Sequence, residues 1–355
     1  MIRKRLERRV TRMLMDLPTS AQRVLGGPKQ DTDGYTLDPK WQLALKLHSL
    51  ARPSLPTLTP QEARIEYRHI VQTLQGPMPT LPHVEEMNVG GAAGSLRARL
   101  YRPNVGNSQN PLLVWFHGGG FTIGDLETTD PAARILAARS KVSVLSVQYR
   151  KAPEAPFPAP VEDAIAAWKW ANKNASDILQ ADPNRIGIGG ASAGGNLSAV
   201  VCQHMIDTEG PKPKFLAMLY ALTQRGIQTD SRRTFGDGYG LDTELIQWFM
   251  DTYLAALPTE EKIPGQHDPR VSPLVYGRLG DMPPMLVATA GFDPLRDEAK
   301  MYADAVNGAG GQATYRCFGN QIHGFAQYAS SIPSASAAMD YIAKSVARHL
   351  TAPGK

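Results

Sequence analysis

Residues 186–201 read IGIGGASAGGNLSAVV: an apolar run, six small residues packed around Ser192, then a second apolar run. Two readings compete for so much missing side-chain volume. A glycine-rich turn lets a strand pass tightly into a helix, or a nucleophile is being held on a sharp, crowded bend. RIGIG at 185–189 predicts a strand and NLSAVVCQHMI predicts a helix, with Gly190, Ser192 and Gly194 meeting the G-x-S-x-G pattern between them. A dinucleotide-binding turn fits worse, because Ser192 stands where that fingerprint needs its third glycine. A serine at this turn also faces the unpaired N–H groups and positive dipole end of the following helix.

Outward from this turn the chain alternates between strands and helices. Strands are expected at 84–89, 97–102, 112–116, 143–148, 185–189, 215–220, 285–290 and 313–318, and helices near 131–139, 161–173, 194–208, 295–308 and 335–350. Short apolar strands separated by helices predict an α/β fold with an eight-stranded, mostly parallel sheet covered on both faces. The first two strands are joined by GGAAGS, so that end is expected to be antiparallel. Residues 1–82 read as helical and irregular, broken by several prolines. The rhythm fails again over 224–283, where a helix is expected near 242–254. An insertion of that length is usually functional and often a lid, so 1–82 and 224–270 are assigned to one helical cap, and 83–223 and 271–355 to the core.

The 355 residues carry a formal charge of +5, and all of it sits in the first thirteen, where six basic residues face Glu7 alone. The balanced remainder implies no nucleic-acid partner. Ile2, Leu6, Val10, Met13 and Leu17 recur at helical spacing, so this segment is a basic amphipathic helix that either packs on the cap or rests on an anionic membrane surface. Arg12 and Asp16 interrupt the only candidate signal-peptide core, and no run is long enough to span a bilayer. A cytoplasmic location is expected. Cys202 and Cys317 lie far apart in apolar contexts and are read as reduced, buried thiols rather than a disulfide or a metal pair.

Chemistry gathers at strand ends. WFHGGGFTIGD at 115–125 places Gly118, Gly119 and Gly120 behind a buried strand, where backbone N–H groups can approach a ligand oxygen. Gly118 and Gly119, with the N–H of Ala193, are the expected oxyanion hole; His117 is read as a structural orienter, not a base. A serine nucleophile needs a base, and the base an orienting carboxylate. Asp293 follows the strand MLVATA and His323 follows ATYRCF, in the order Ser…Asp…His. His349, inside the last helix, is a poor base. Asp297 and Glu298 are read as acids opening a helix and facing its dipole.

With HGGGF, YRKAPEAPFPAPVEDA, GASAGG, DPLRDE and HGF in that order, roughly residues 84–350 resemble the hormone-sensitive-lipase-like esterases of the α/β-hydrolase superfamily. The resemblance implies Ser192 as nucleophile, Asp293 as acid, His323 as base and Gly118, Gly119 and Ala193 as oxyanion donors. It also implies a helical cap, no cofactor or metal, and hydrolysis of short- to medium-chain acyl esters. Two positions depart from the pattern: Ala191 where Asp or Thr is usual, and Lys151 where YRLAPE has Leu. Amide or aryl-acetamide hydrolysis by the same triad, and a non-catalytic receptor holding a small ligand, are the alternatives. A homodimer is left open. Trp41, Tyr239, Trp248 and Phe249 could line the pocket, though large apolar residues in such helices more often form their core.

Overall fold

The computed structural model describes residues 2–104, 109–258 and 267–351, with side chains from Glu7 onward. Residues 259–266 of the expected insertion, and the side chains of Ile2 and Leu6 in the amphipathic stripe, lie outside what is described. Four helices come first: α1 (Ile2–Met15), α2 (Thr19–Gly26), α3 (Pro39–Ala51) and α4 (Pro60–Leu74). Between α2 and α3 sits a small hairpin, β1 (Asp31–Thr32) and β2 (Tyr35–Thr36), which the sequence reading did not include. It turns on Asp33 and Gly34, whose φ values of 54° and 76° are those an Asp-Gly type I′ turn requires.

The main sheet comprises β3 (His83–Gly91), β4 (Gly94–Arg102), β5 (Asn110–Phe116), β6 (Ser143–Val147), β7 (Ala181–Ala191), β8 (Leu216–Leu219), β9 (Met285–Phe292) and β10 (Ala313–Ile322). Its spatial order is β10-β9-β8-β7-β5-β6-β4-β3. β4 runs antiparallel to both β3 and β6, as the GGAAGS connection foretold at that edge, and the other pairs are parallel. β5 and β9 are buried at every position, the expected state of parallel strands covered twice. Alternation divides the core between the faces. Leu112, Val114 and Phe116 pack with α6 (Ala159–Lys173), α7 (Ala193–Asp207) and residues 299–306, whereas Leu113 and Trp115 face α5 (Leu126–Ser140) and residues 335–350.

Two expectations change. α5 starts at Leu126, ahead of Pro131, because Asp125 caps it: Asp125 Oδ1 accepts the Thr128 N–H at 2.9 Å, and Thr128 returns a bond to the Asp125 N–H. After β8 the chain forms α8 (Asp230–Phe235) and α9 (Thr243–Tyr253), and after β9 and β10 it forms α10 (Arg296–Gly308) and α11 (Pro333–Leu350). Glu298 does not simply face the α10 dipole. It is fully buried, accepts the Thr223 N–H at 2.9 Å and takes Arg232 at 2.6 Å, so it clamps the segment that leaves β8. Burial pushes its carboxyl pKa up, against the pull of Arg232. Asp297 likewise accepts the Ser231 N–H at 2.8 Å.

Cys202 is buried, but Cys317 is only half-buried on β10; both are free thiols. α1 lies on α3 and α4. Glu7 pairs with Arg52 and with His69 at 3.0 Å, and Arg8 and Arg12 reach Gln72 and the Gln75 carbonyl. Among the described residues no helix is long and apolar enough to cross a membrane.

Candidate active site

Ser192 is the single residue between the end of β7 and the start of α7. Its φ of 54° and ψ of −119° lie where L-residues are rarely found, and such strain persists only when the surroundings enforce it. The enforcement is close packing. A Cβ on Gly190 would lie 2.3 Å from the Gly194 backbone, and one on Gly194 only 2.0 Å from the Phe116 carbonyl oxygen. Strand and helix meet at backbone-to-backbone distance, so the small residues at 189–195 are a steric requirement of the bend that presents Ser192.

Asp293 and His323 each follow a strand end, at β9 and β10. His323 Nε2 lies 3.0 Å from Ser192 Oγ, and its Nδ1 lies 2.9 Å from Asp293 Oδ2. Asp293 is fully buried, and its other oxygen accepts the Leu295 N–H at 2.8 Å. A carboxylate only accepts, so His323 carries its proton on Nδ1 and turns the Nε2 lone pair toward the serine hydroxyl. The edge of Tyr220 packs on His323, with ring centroids 4.8 Å apart. His349 lies elsewhere, stacked on Phe215.

The carbonyls of the glycine loop after β5 are anchored, and this fixes the direction of the N–H groups that follow them. In a planar trans peptide the C=O and N–H point in opposite directions, so anchoring one aims the other. The His117 carbonyl accepts the Tyr149 hydroxyl at 2.9 Å, which orients the Gly118 N–H. The Gly118 carbonyl lies 2.8 Å from His117 Nδ1, which orients the Gly119 N–H. The Ser192 carbonyl accepts the Asn196 N–H at 3.1 Å, which orients the Ala193 N–H. Among the described residues none of these three N–H groups has a protein acceptor. Gly119 has a φ of 111°, which suits glycine alone, and a Cβ there would lie 2.4 Å from the Ile123 carbonyl.

His117 is buried and stacked on Tyr149 at 4.3 Å. Burial, and then the charge of Lys151, lower its pKa to about 4. It is therefore neutral near pH 7 and donates from Nδ1, in keeping with an orienting role. The sequence reading missed Tyr149, Asn196 and Tyr220.

Ser192, His323 and the loop glycines open into an apolar cavity of about 170 Å³. Trp41 and Phe249 line it with Leu241, Tyr67 and Ile70. Tyr239 instead packs on Phe235 and Phe292, and Trp248 on Phe249. Among the described residues no cluster of His, Cys, Asp and Glu could hold a metal ion.

Comparison with known proteins bears on this arrangement. A family model described as alpha/beta hydrolase fold matches residues 113–327. The carboxylic ester hydrolase LipN of Mycobacterium tuberculosis is 42% identical over 87% of this chain and 82% of its own. The carboxylesterase NlhH of the same organism is 35% identical over 76% and 84%. Among solved structures, the ester hydrolase EH1AB1 from the metagenome of Lake Arreo superposes with a TM-score of 0.83 at 36% identity, covering 89% of this chain and 99% of that one.

Proposed function

From the premise that the chain belongs to the α/β-hydrolase family, on its hormone-sensitive-lipase-like branch, and is a carboxylic ester hydrolase, we propose that Ser192, His323 and Asp293 form its triad. The observation that carries this is the His323 bridge, 3.0 Å to Ser192 Oγ on one side and 2.9 Å to Asp293 Oδ2 on the other. His323 takes the hydroxyl proton as Ser192 attacks the ester carbonyl, and Asp293 stabilises the resulting imidazolium. The N–H groups of Gly118, Gly119 and Ala193 receive the oxyanion. The tetrahedral adduct collapses as His323 returns its proton to the leaving alcohol, leaving an acyl-serine. Water, deprotonated by the same imidazole, then releases the acid and restores the hydroxyl.

Residues 1–82 and 224–270 act in this reading as a cap over the site. Helices α3, α4 and α9 all contribute to the wall of the cavity above Ser192, which supports the division. The small apolar cavity suits short- to medium-chain acyl groups and a neutral alcohol. Hydrolysis of p-nitrophenyl acetate, butyrate, octanoate and palmitate by the wild type and Ser192→Ala tests both parts. Activity peaking at the shorter chains and lost in a folded variant is expected. Equal activity in the two proteins refutes the assignment of Ser192.

A further inference from the structure

We propose that Lys151 is a positioning residue for the oxyanion hole, gripping the glycine loop from behind and acting in its charged form; this rests on the assignment of Gly118 and Gly119 as donors. Lys151 follows β6, and its Nζ donates to the carbonyl of Gly124. Gly124 is the far end of the loop that begins at His117. It has a φ of 80°, and a Cβ on it would lie 2.2 Å from the Gly118 oxygen and 3.0 Å from His117 Nδ1. The lysine therefore bears on the residue packed directly behind the bond that aims the Gly119 N–H.

The same side of the loop is held at further carbonyls. The Ala152 N–H donates to Phe121 at 2.9 Å, and Arg64 Nε donates to Thr122 at 2.8 Å. With the carbonyls of 121, 122 and 124 all engaged away from the cavity, the loop keeps its orientation. An ammonium binds such a carbonyl more strongly than a neutral amine does. Its charge also adds a positive potential behind the loop, which favours a negative oxygen at the hole. The common Leu at this place could supply neither effect.

Lys151 is mostly enclosed. Arg64 and Arg68 face it from α4, His117 and Asp125 from the loop, and Glu154 from its own segment. Burial first, then Arg64 and Arg68, bring its pKa down to about 8, against the opposing pull of Asp125 and Glu154. The charged form is therefore present below that pH and lost above it.

The test is kcat and KM for p-nitrophenyl butyrate from pH 6 to 10, with spontaneous hydrolysis subtracted, for wild type, Lys151→Arg and Lys151→Met, and with Ser192→Ala as reference. In the wild type kcat falls on the alkaline side with an apparent pKa of about 8 while KM holds. Lys151→Arg keeps the pH 7 rate within about threefold and loses that limb. Lys151→Met drops kcat by roughly 5–30-fold with a flat profile, below the ~10²–10³ of a deleted donor. A Lys151→Met kcat within twofold of wild type, or the same alkaline limb in all three proteins, overturns the proposal. If Lys151→Met does not fold, the limb and its absence in Lys151→Arg decide. An active Ser192→Ala would instead overturn the triad, which distinguishes the two failures.

Discussion

Replacing Asp293 by Asn tests the triad through the direction of one hydrogen bond. Asp293 accepts twice, from the Leu295 N–H at 2.8 Å and from His323 Nδ1 at 2.9 Å. An asparagine of the same shape must give its one oxygen to the Leu295 N–H, since two donors cannot face each other. Its NH₂ then points at His323 Nδ1, which has to become the acceptor. The imidazole proton moves to Nε2 and points at Ser192 Oγ, so the base is lost although every heavy atom keeps its place. The expected loss is ~10⁴ in kcat, the size established for this change in serine-protease triads, or about 5 kcal/mol of transition-state stabilisation. KM should hold, because Asp293 is fully buried behind His323 and is not part of the cavity wall. The assay is steady-state hydrolysis of p-nitrophenyl butyrate at pH 7.5, with folding checked by circular dichroism. A folded variant retaining more than a tenth of the wild-type kcat refutes the reasoning.

Other changes probe the surroundings of the site. Gly194→Ala forces a Cβ to within 2.0 Å of the Phe116 carbonyl, where only backbone can yield; urea denaturation should show a loss of about 3 kcal/mol or failure to fold. His117, held neutral with a pKa of about 4, makes stability depend on pH. The unfolded chain binds the proton first, so this contribution is complete above pH ~6.5 and is lost as pH falls toward 4, by up to about 3 kcal/mol. Urea midpoints at pH 7 and 4.5 should therefore converge in part in His117→Gln, and an unchanged difference between them contradicts the reading. Phe249→Ala enlarges the cavity it lines, so the acyl-length optimum should move upward at a cost of roughly 3–5 kcal/mol in stability. An unmoved optimum would place the acyl chain elsewhere.

The core strands, and the strand-end positions of Ser192, Asp293 and His323 that the fold brings together, were legible because each rests on local pattern. Runs such as LLVWF and MLVATA are apolar throughout because both faces are covered, and the Ser…Asp…His order leaves few residues to choose among. What escaped depends on contacts between distant residues or on signals too short to show periodicity. Pro131 reads as a helix start, yet the capping of Asp125 carries α5 through it. Glu298 fits a helix-opening acid equally well whether it meets water or Arg232, and only packing makes it a buried clamp. The hairpin at 31–36 has strands of two residues each. The aim of the proposed oxyanion donors was not legible at all, since Tyr149 and Asn196 act through carbonyls rather than through side chains that reach the site.

Helix α4 ties these elements together. Arg64 and Arg68, one turn apart on one face, hold the Thr122 carbonyl and the Asp125 carboxylate of the glycine loop. Tyr67, Ile70 and Leu74 of the same helix line the cavity. In the proposed reaction this helix borders the acyl chain on one side and the oxyanion loop on the other, so displacement at one is expected at the other. Packing energy from a well-fitting acyl group would then be available where the oxyanion forms, and an ill-fitting one would disturb the donors as well as its own pocket. Binding energy used in this way appears in the transition state rather than in the ground state. Selection among esters by this cavity is accordingly expected in kcat as much as in KM, and kcat values across an acyl-length series that vary less than twofold while KM changes would refute the coupling.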